Sequence, residues 1–208
     1  MNDFLPDVII RRLPSYYRQL QRLEAAHIEQ ISSWQLGEQM HQTASQIRRD
    51  LNCIGAGGRQ GYGYRVSELK HHIGKILGMD REHPMVVISS KGIGQAVLED
   101  VAMMGGPFRL LAIFTDAALQ TGGDTPEVPV LPAAQLEAFL AAHDVEMAVI
   151  AVPSSEASAV YDRVTACGIR AVWNFAPVDL DHDNRRATVV NVHLMDSLQV
   201  LSCKITQR

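Results

Sequence analysis

The second half of this chain alternates short β-branched and apolar runs with helix-patterned stretches. No other feature constrains the fold as tightly. Residues 85–89 (MVVIS), 109–115 (RLLAIFT), 146–152 (EMAVIAV), 171–174 (AVWN) and 188–193 (TVVNVH) read as strands, several of them near-continuous apolar runs. Helical patterns at 93–104, 133–142 and 154–166 separate them, with a short extended piece at 128–130. Strands that alternate with helices predict an α/β domain built on a largely parallel, doubly wound sheet.

The first 80 residues follow a different grammar. Pro14 is placed to open a helix in which Leu13, Tyr16, Tyr17, Leu20 and Leu23 recur near helical spacing. Ser32 or Ser33 can cap a short helix holding Trp34, Leu36 and Met40. Thr43 can cap the next helix, where Ile47 and Leu51 face inward and Ser45, Gln46, Arg48 and Arg49 largely point away. Two helices joined by a short turn are the pattern of a helix-turn-helix, whose second helix enters a major groove. An arginine fork bonds two acceptors on guanine or clamps a phosphate, and a glutamine can pair with an adenine edge. On these residues alone, an ordinary solvated surface helix is an equal alternative.

Residues 55–64 (GAGGRQGYGY) then place five glycines among ten positions. Glycine at that density predicts a tight turn or hairpin. Arg59 at its tip is placed like the wing of a winged helix, within reach of a minor groove or a phosphate, while Tyr62 and Tyr64 are expected to anchor the turn. Val66, Leu69, Ile73, Ile76 and Leu77 make a last amphipathic helix. The candidate DNA-contacting set is therefore Ser45, Gln46, Arg48, Arg49, Arg59 and Tyr62.

Charge is shared in the same sense. Residues 1–80 hold 10 Lys+Arg against 8 Asp+Glu, and residues 81–208 hold 9 against 15. The stretch 41–75 carries Arg48, Arg49, Arg59, Arg65, Lys70 and Lys75 against Asp50 and Glu68, which suits a half that meets a polyanion. With 47% hydrophobic and 20% charged residues, packed domains are expected rather than wholesale disorder. No apolar stretch is long enough to cross a bilayer, and the N-terminus lacks the cleavage site of a signal peptide. Cys53, Cys167 and Cys203 show no paired spacing and read as buried, reduced thiols of a cytoplasmic protein. His71, His72, His83, His143, His182 and His193 lack ligand spacing, and the acidic run 179–183 (DLDHD) reads as a surface loop, so no metal site is predicted.

RRLPSYYRQL at 11–20, SSWQLGEQM at 32–40, QIRRDLNCIGAGGRQGYGY at 46–64 and VSELKHHIGKILG at 66–78 resemble the winged-helix domain of the Rex family, bacterial redox-sensing transcriptional repressors. NFAPV at 174–178 and VNVHLMDSLQVLS at 190–202 extend the resemblance over nearly the whole chain. It implies a winged-helix domain at 1–80, a Rossmann-like domain at 81–194 and a C-terminal helix at 195–208 that packs into the partner subunit of a homodimer. It also implies a palindromic double-stranded DNA operator, NAD(H) as effector and no enzymatic activity. A rival reading, an NAD-dependent enzyme, lacks a convincing catalytic acid or base and leaves the first 80 residues without a role. A repressor-derived interaction scaffold without selective DNA binding is a third possibility.

Residues 86–97 (VVISSKGIGQAV) depart from the family pattern. In a dinucleotide fingerprint G-x-G-x-x-G, the first glycine makes the turn, the second lets backbone meet pyrophosphate, and the third packs helix on strand. Aligned on the strand, these positions are Ser89, Lys91 and Gly94, so only the packing glycine is kept. The ribose-binding acid at the end of the second strand falls on Thr115, with Asp116 one residue late. The resemblance also maps the family's switch tyrosine and aspartate to Asp100 and His193. These departures predict that NAD(H) sensing is lost or altered, leaving no effector or another small anionic ligand. Ser89, Ser90, Lys91, Gly92, Ile93, Gly94, Thr115, Asp116, Pro153 and Asn174 would line its site. The alternative is a genuine NADH/NAD-responsive sensor with an unusual phosphate loop.

Overall fold

A computed structural model describes residues 5–58, 62–90, 106–116, 128–181 and 186–207. The chain divides into two compact units, Met1–Arg81 and Glu82–Arg208.

The first unit is mostly helical, in the order α1 (Asp7–Ile10), α2 (Leu13–Ala25), β1 (Gln30–Ile31), α3 (Ser33–Gln39), α4 (Ala44–Cys53), β2 (Tyr64–Arg65) and α5 (Val66–Ile76). Pro14 stands in the first turn of α2, where its missing N–H has no intrahelical partner to lose. Helix α3 opens on a capping box: Ser32 Oγ accepts from Gln35 N, and the Gln35 side chain accepts from Ser32 N. Thr43 Oγ1 caps α4 by accepting from Gln46 N at 3.1 Å.

The corner between α3 and α4 is a Schellman turn. Gln42 N donates to Gly37 O, His41 N donates to Glu38 O, and His41 takes the left-handed backbone at φ 53°. A Cβ at Gly37 would lie 2.6 Å from Gln42 O, so the corner closes this tightly only around glycine. Leu13, Tyr16, Leu20 and Leu23 of α2, Leu36 of α3, Ile47 and Leu51 of α4, and Val66, Leu69 and Ile73 of α5 form one core. Burying an aliphatic side chain of this size contributes roughly 1.5–3 kcal/mol.

The second unit holds β3 (His83–Ser89), β4 (Phe108–Phe114), β5 (Val130–Leu131), α6 (Leu136–Ala142), β6 (Met147–Ala151), α7 (Ser154–Ala166), β7 (Ala171–Asn174), β8 (Thr188–Asn191) and α8 (Leu194–Thr206) among its described residues. A short 3-10 turn, Ala133–Gln135, leads into α6. The six strands run β5-β4-β3-β6-β7-β8, every neighbouring pair parallel. The chain thus builds outward one way from β3, then returns and builds the other way from β6. The expected helix at 93–104 lies outside the described residues.

Both faces of the sheet are buried, as the continuous apolar runs require. Val86, Ile88, Phe114, Ala148 and Ile150 pack with Leu136, Leu140, Val160 and Val164 of α6 and α7. Met85, Val87, Ile113 and Val149 form a cluster on the opposite face, with Phe175 against them.

Helix α8 is different. None of its residues is buried, and Leu194, Met195, Leu198, Val200, Leu201 and Ile205 are each more than half exposed. The three cysteines also correct the expectation of burial. Cys53 ends α4, Cys167 follows the last turn of α7, Cys203 stands on α8, and all three are exposed.

Candidate nucleic-acid interface and ligand-binding edge

On α4 the outward positions are as the helical spacing requires. Ser45, Arg48 and Arg49 are exposed, with Ile47 and Leu51 fully buried beneath them. Arg48 Nη1 donates to Ser33 Oγ at 3.0 Å, tying the start of α3 to the exposed face of α4. Trp34, beside Ser33, is 65% exposed. Gln46 departs from the expectation that it points away. It is only partly exposed, and its Nε2 donates to Asp50 Oδ1 at 2.6 Å.

Asp50 is the residue that sequence reasoning missed. Its carboxylate is fully buried, although in the sequence it stands among the charges of the basic stretch 41–75. Arg12 Nη2 donates to Oδ1 at 2.8 Å and Tyr16 OH donates to Oδ2 at 2.9 Å, so both oxygens accept from α2 or the residue before it. Burial and the hydrogen bond to Asp50 push the Tyr16 phenol well above its ordinary range, which keeps the proton on the donor. Gln42 Oε1 also lies 3.0 Å from the Tyr16 hydroxyl, but one phenolic proton serves one acceptor at a time. Asp50 therefore fastens α4 to the N-terminal segment from 34 and 38 residues away. A signal was present: Ile47, Asp50, Leu51 and Ile54 share one helical stripe, and all four are buried.

The glycine stretch reaches β2, which pairs antiparallel with β1, Ile31 opposite Tyr64. Gly63 makes that approach possible. It sits at φ 77°, and a Cβ there would lie 2.4 Å from Ile31 O. Tyr64 is buried and anchors the segment, with Gly58 against its ring. Tyr62 does not anchor it: the side chain is 72% exposed, because alternation about Gly63 sends it outward. Arg59 lies outside the described residues. Gln30, Ala56, Gly57, Tyr62, Tyr64 and His72 line a cavity of about 460 Å³ on this side of the unit.

In the second unit, the carboxyl ends of β3 and β6 meet where the strand order reverses, the usual position for a ligand in an open α/β sheet. Ser89 ends β3 almost wholly buried, and its Oγ has no hydrogen-bond partner among the described residues. Ser90 N donates to Ala151 O at 3.4 Å, joining the two strand ends. Pro153 opens α7 without a side-chain cap, so first-turn N–H groups of a 13-residue helix stay available at this edge. Lys91, Gly92, Ile93, Gly94 and Asp100 lie outside the described residues.

The remaining positions are spent on structure. Thr115 is buried, and its N donates to Leu131 O. Asp116 Oδ1 accepts from Ala133 N at 3.1 Å and so caps the turn into α6. Asn174 is fully buried. Its Nδ2 donates to Val178 O and Asn191 Oδ1, and its Oδ1 accepts from Ala176 N, which makes it the staple of the turn after β7. The same residue stands at the carboxyl end of β7.

The acidic loop is equally occupied. Asp179 Oδ1 pairs with His193 Nε2 at 2.6 Å, just before α8. Asp181 accepts from Tyr161 OH and from Arg186 N. Burial and this carboxylate push the Tyr161 phenol up to about 12. Among the described residues no group of acids, histidines and cysteines is placed to hold a metal ion.

Comparison with known proteins assigns both units. Residues 5–52 match a family described as "Putative DNA-binding protein N-terminus", and residues 49–178 match one described as "CoA binding domain". The chain is 41% identical over 196 residues to the redox-sensing transcriptional repressor Rex of Clostridium beijerinckii, covering 93% of this chain and 91% of that one. It is 38% identical over 199 residues to Rex of Caldanaerobacter subterraneus subsp. tengcongensis, covering 96% and 88%. Among solved structures, RSP in complex with beta-NAD+ and operator DNA is 36% identical, with a TM-score of 0.88 over 99% of this chain and 94% of that one. RSP in complex with beta-NADH is 34% identical, with a TM-score of 0.85 over 99% and 96%. With relatives of this identity across nearly its full length, the chain belongs to the Rex family of redox-sensing transcriptional repressors, a family of DNA-binding regulators and not of enzymes.

Proposed function

We propose that this protein is a homodimeric repressor that binds a palindromic operator and releases it in response to NADH. The observation that carries the proposal is the exposed Arg48–Arg49 pair on a capped helix braced from behind by Asp50, in a chain that matches RSP over 99% of its length. Arg48, Arg49 and Ser45 would meet bases and phosphates, with Tyr62 and Arg59 contacting the duplex from the glycine segment. Ion pairing with phosphates releases counterions, so affinity falls steeply with salt.

The expected loss of NAD(H) sensing finds no support in the comparisons, which favour the alternative of a working sensor. RSP, similar to this chain throughout, has been solved with both beta-NAD+ and beta-NADH. The chain's own residues also fit an anionic group. The buried Ser89 Oγ has a hydrogen bond to give, and the uncapped start of α7 offers backbone N–H groups. Ser89 and Ser90, with Lys91 and the α7 start after Pro153, would hold the phosphates of a dinucleotide. When bound, that cofactor supplies a redox state to be read, not a reaction. NADH shifts the protein away from DNA only to the extent that it binds the DNA-incompetent arrangement more tightly.

The bare apolar face of α8 supports pairing with a second copy of this chain, since six large apolar side chains stand uncovered on it. A two-fold dimer reads a two-fold site.

Selection from a pool of random duplexes with the purified protein, with and without NADH, tests all of this. One palindromic sequence should be enriched, and NADH should weaken binding to it. The double variant Arg48→Ala, Arg49→Ala should lose on the order of a hundred-fold in affinity, and its salt dependence should flatten. Undiminished binding by that variant would overturn the DNA contact. Operator binding indifferent to NADH would overturn the sensing alone.

A further inference from the structure

The buried carboxylate behind α4 has a consequence for what the helix can read. Gln46 is held at both ends: its backbone N donates to Thr43 Oγ1 and its Nε2 donates to Asp50 Oδ1 at 2.6 Å. A free glutamine can turn its amide over and present either a donor or an acceptor. This one cannot. Asp50 already pairs with the Arg12 guanidinium and accepts a hydrogen bond from the Tyr16 hydroxyl, so it faces Gln46 as an acceptor. The group 2.6 Å from it must therefore be the amide nitrogen. Turning the amide over would bring two oxygens together inside a buried site and leave Asp50 short of a donor.

From this geometry we infer that Asp50 is a specificity-positioning residue, which fixes the amide of Gln46 so that its Oε1 faces the operator as an acceptor. An outward acceptor favours base edges that donate, the N6 amino group of adenine or the N4 amino group of cytosine. It disfavours the O6 of guanine and the O4 of thymine. The inference rests on the reading of α4 as the helix that enters the major groove. It adds that one base-pair preference in each half-site is set by a residue that touches no DNA.

The coupling reaches further than one side chain. Arg12 and Tyr16, which hold Asp50, come from the start of the chain, so the same contact that orients Gln46 also sets how α4 stands on α2. A merely structural Asp50 would change stability and overall affinity. A positioning Asp50 changes which base is preferred.

The test uses the intact protein and the operator recovered by selection, with every single-base variant measured in competition. In the native protein one symmetric base-pair position should prefer an outward amino group by about ten-fold or more. Gln46→Ala should remove that preference and leave the other positions alone. Asp50→Ala, which removes the acceptor that Gln46 Nε2 meets, should reduce the same preference to within about two-fold, while circular dichroism shows the helices retained. An unchanged base profile in either folded variant overturns the proposal.

Should Asp50→Ala fail to fold, NMR of the native protein labelled with 15N-glutamine decides. The Gln46 side-chain amide should show one proton shifted and protected from exchange by Asp50, and an unprotected, freely exchanging amide overturns the proposal. That measurement needs no DNA. It therefore separates failure of this inference from failure of the repressor reading, which would appear as no enriched duplex at all.

Discussion

Polar side chains are treated in opposite ways at the two ends of this chain. In the helical unit the groups proposed to meet DNA, and the carboxylate behind them, are bound in advance: Gln46 to Asp50, Arg48 to Ser33, Asp50 to Arg12 and Tyr16. At the carboxyl edge of the sheet, Ser89 Oγ is buried with no partner among the described residues, and those residues leave α8 beyond the last strand uncovered. The difference follows from what each surface would meet. A stiff polyanion with a fixed pattern of acceptors rewards side chains whose entropy has already been lost on folding. A small ligand and a second subunit instead supply the missing partners, and a group that will receive one stays unsatisfied until it arrives.

The largest effect should come from polarising the uncovered helix. Leu198→Asp with Leu201→Asp places two charges on the face proposed to pair. Sedimentation should show a monomer in place of a dimer, with the far-ultraviolet circular dichroism of both units kept. A dimer that persists would mean that the bare helix is not the pairing surface.

A smaller effect is expected at Ser89. Because its hydroxyl has no partner among the described residues, Ser89→Ala removes a buried unsatisfied group, and the Tm should stay level or rise. Calorimetry should nevertheless show NADH bound several-fold more weakly, by about the 1 kcal/mol of one net hydrogen bond. A variant that lost stability and kept its NADH affinity would place Ser89 with the pre-bound groups and break the contrast between the two ends.

The smallest effect concerns Glu137, an exposed residue bonded to Arg163 Nε at 2.5 Å. Its hydrogen bonds to that guanidinium hold its carboxyl down to about 2. A carboxyl whose folded-state pKa is depressed contributes stability above its unfolded value near 4.5, and that contribution is lost as the pH falls toward 2. Glu137→Gln should therefore lower Tm slightly at neutral pH, and the difference should shrink steadily in acid. The pair is exposed, so the shift should correspond to less than about 1 kcal/mol.

Legibility in the sequence followed how local each determinant was. The strands were readable because runs such as 85–89 and 146–152 are apolar throughout, and the helix starts because Pro14, Ser32 and Thr43 act within four residues of themselves. Asp50 was unreadable by composition, since it follows Arg48 and Arg49 and resembles one more surface charge. Only Arg12 and Tyr16, brought back by the fold, make it a core residue.

Asn174 and Asp116 each stand at a strand end and bond to a neighbouring turn, a contact that sequence alone does not show. Tyr62 and Tyr64 look equivalent in sequence. The left-handed Gly63 between them decides which one is buried. The loop at 86–97 shows how a motif can be overvalued: reading its residues against a general dinucleotide fingerprint predicts a loss of sensing that the relatives do not support.

The uncovered α8 makes abundance a control variable. Under the pairing proposed above, the concentration of dimers able to grip a palindrome rises with the square of subunit concentration when that concentration is below the dimer constant. A cell that halved its supply of this protein would then lose more than half of its repression. The apolar side chains from Leu194 to Ile205 would thus set a threshold as well as a surface.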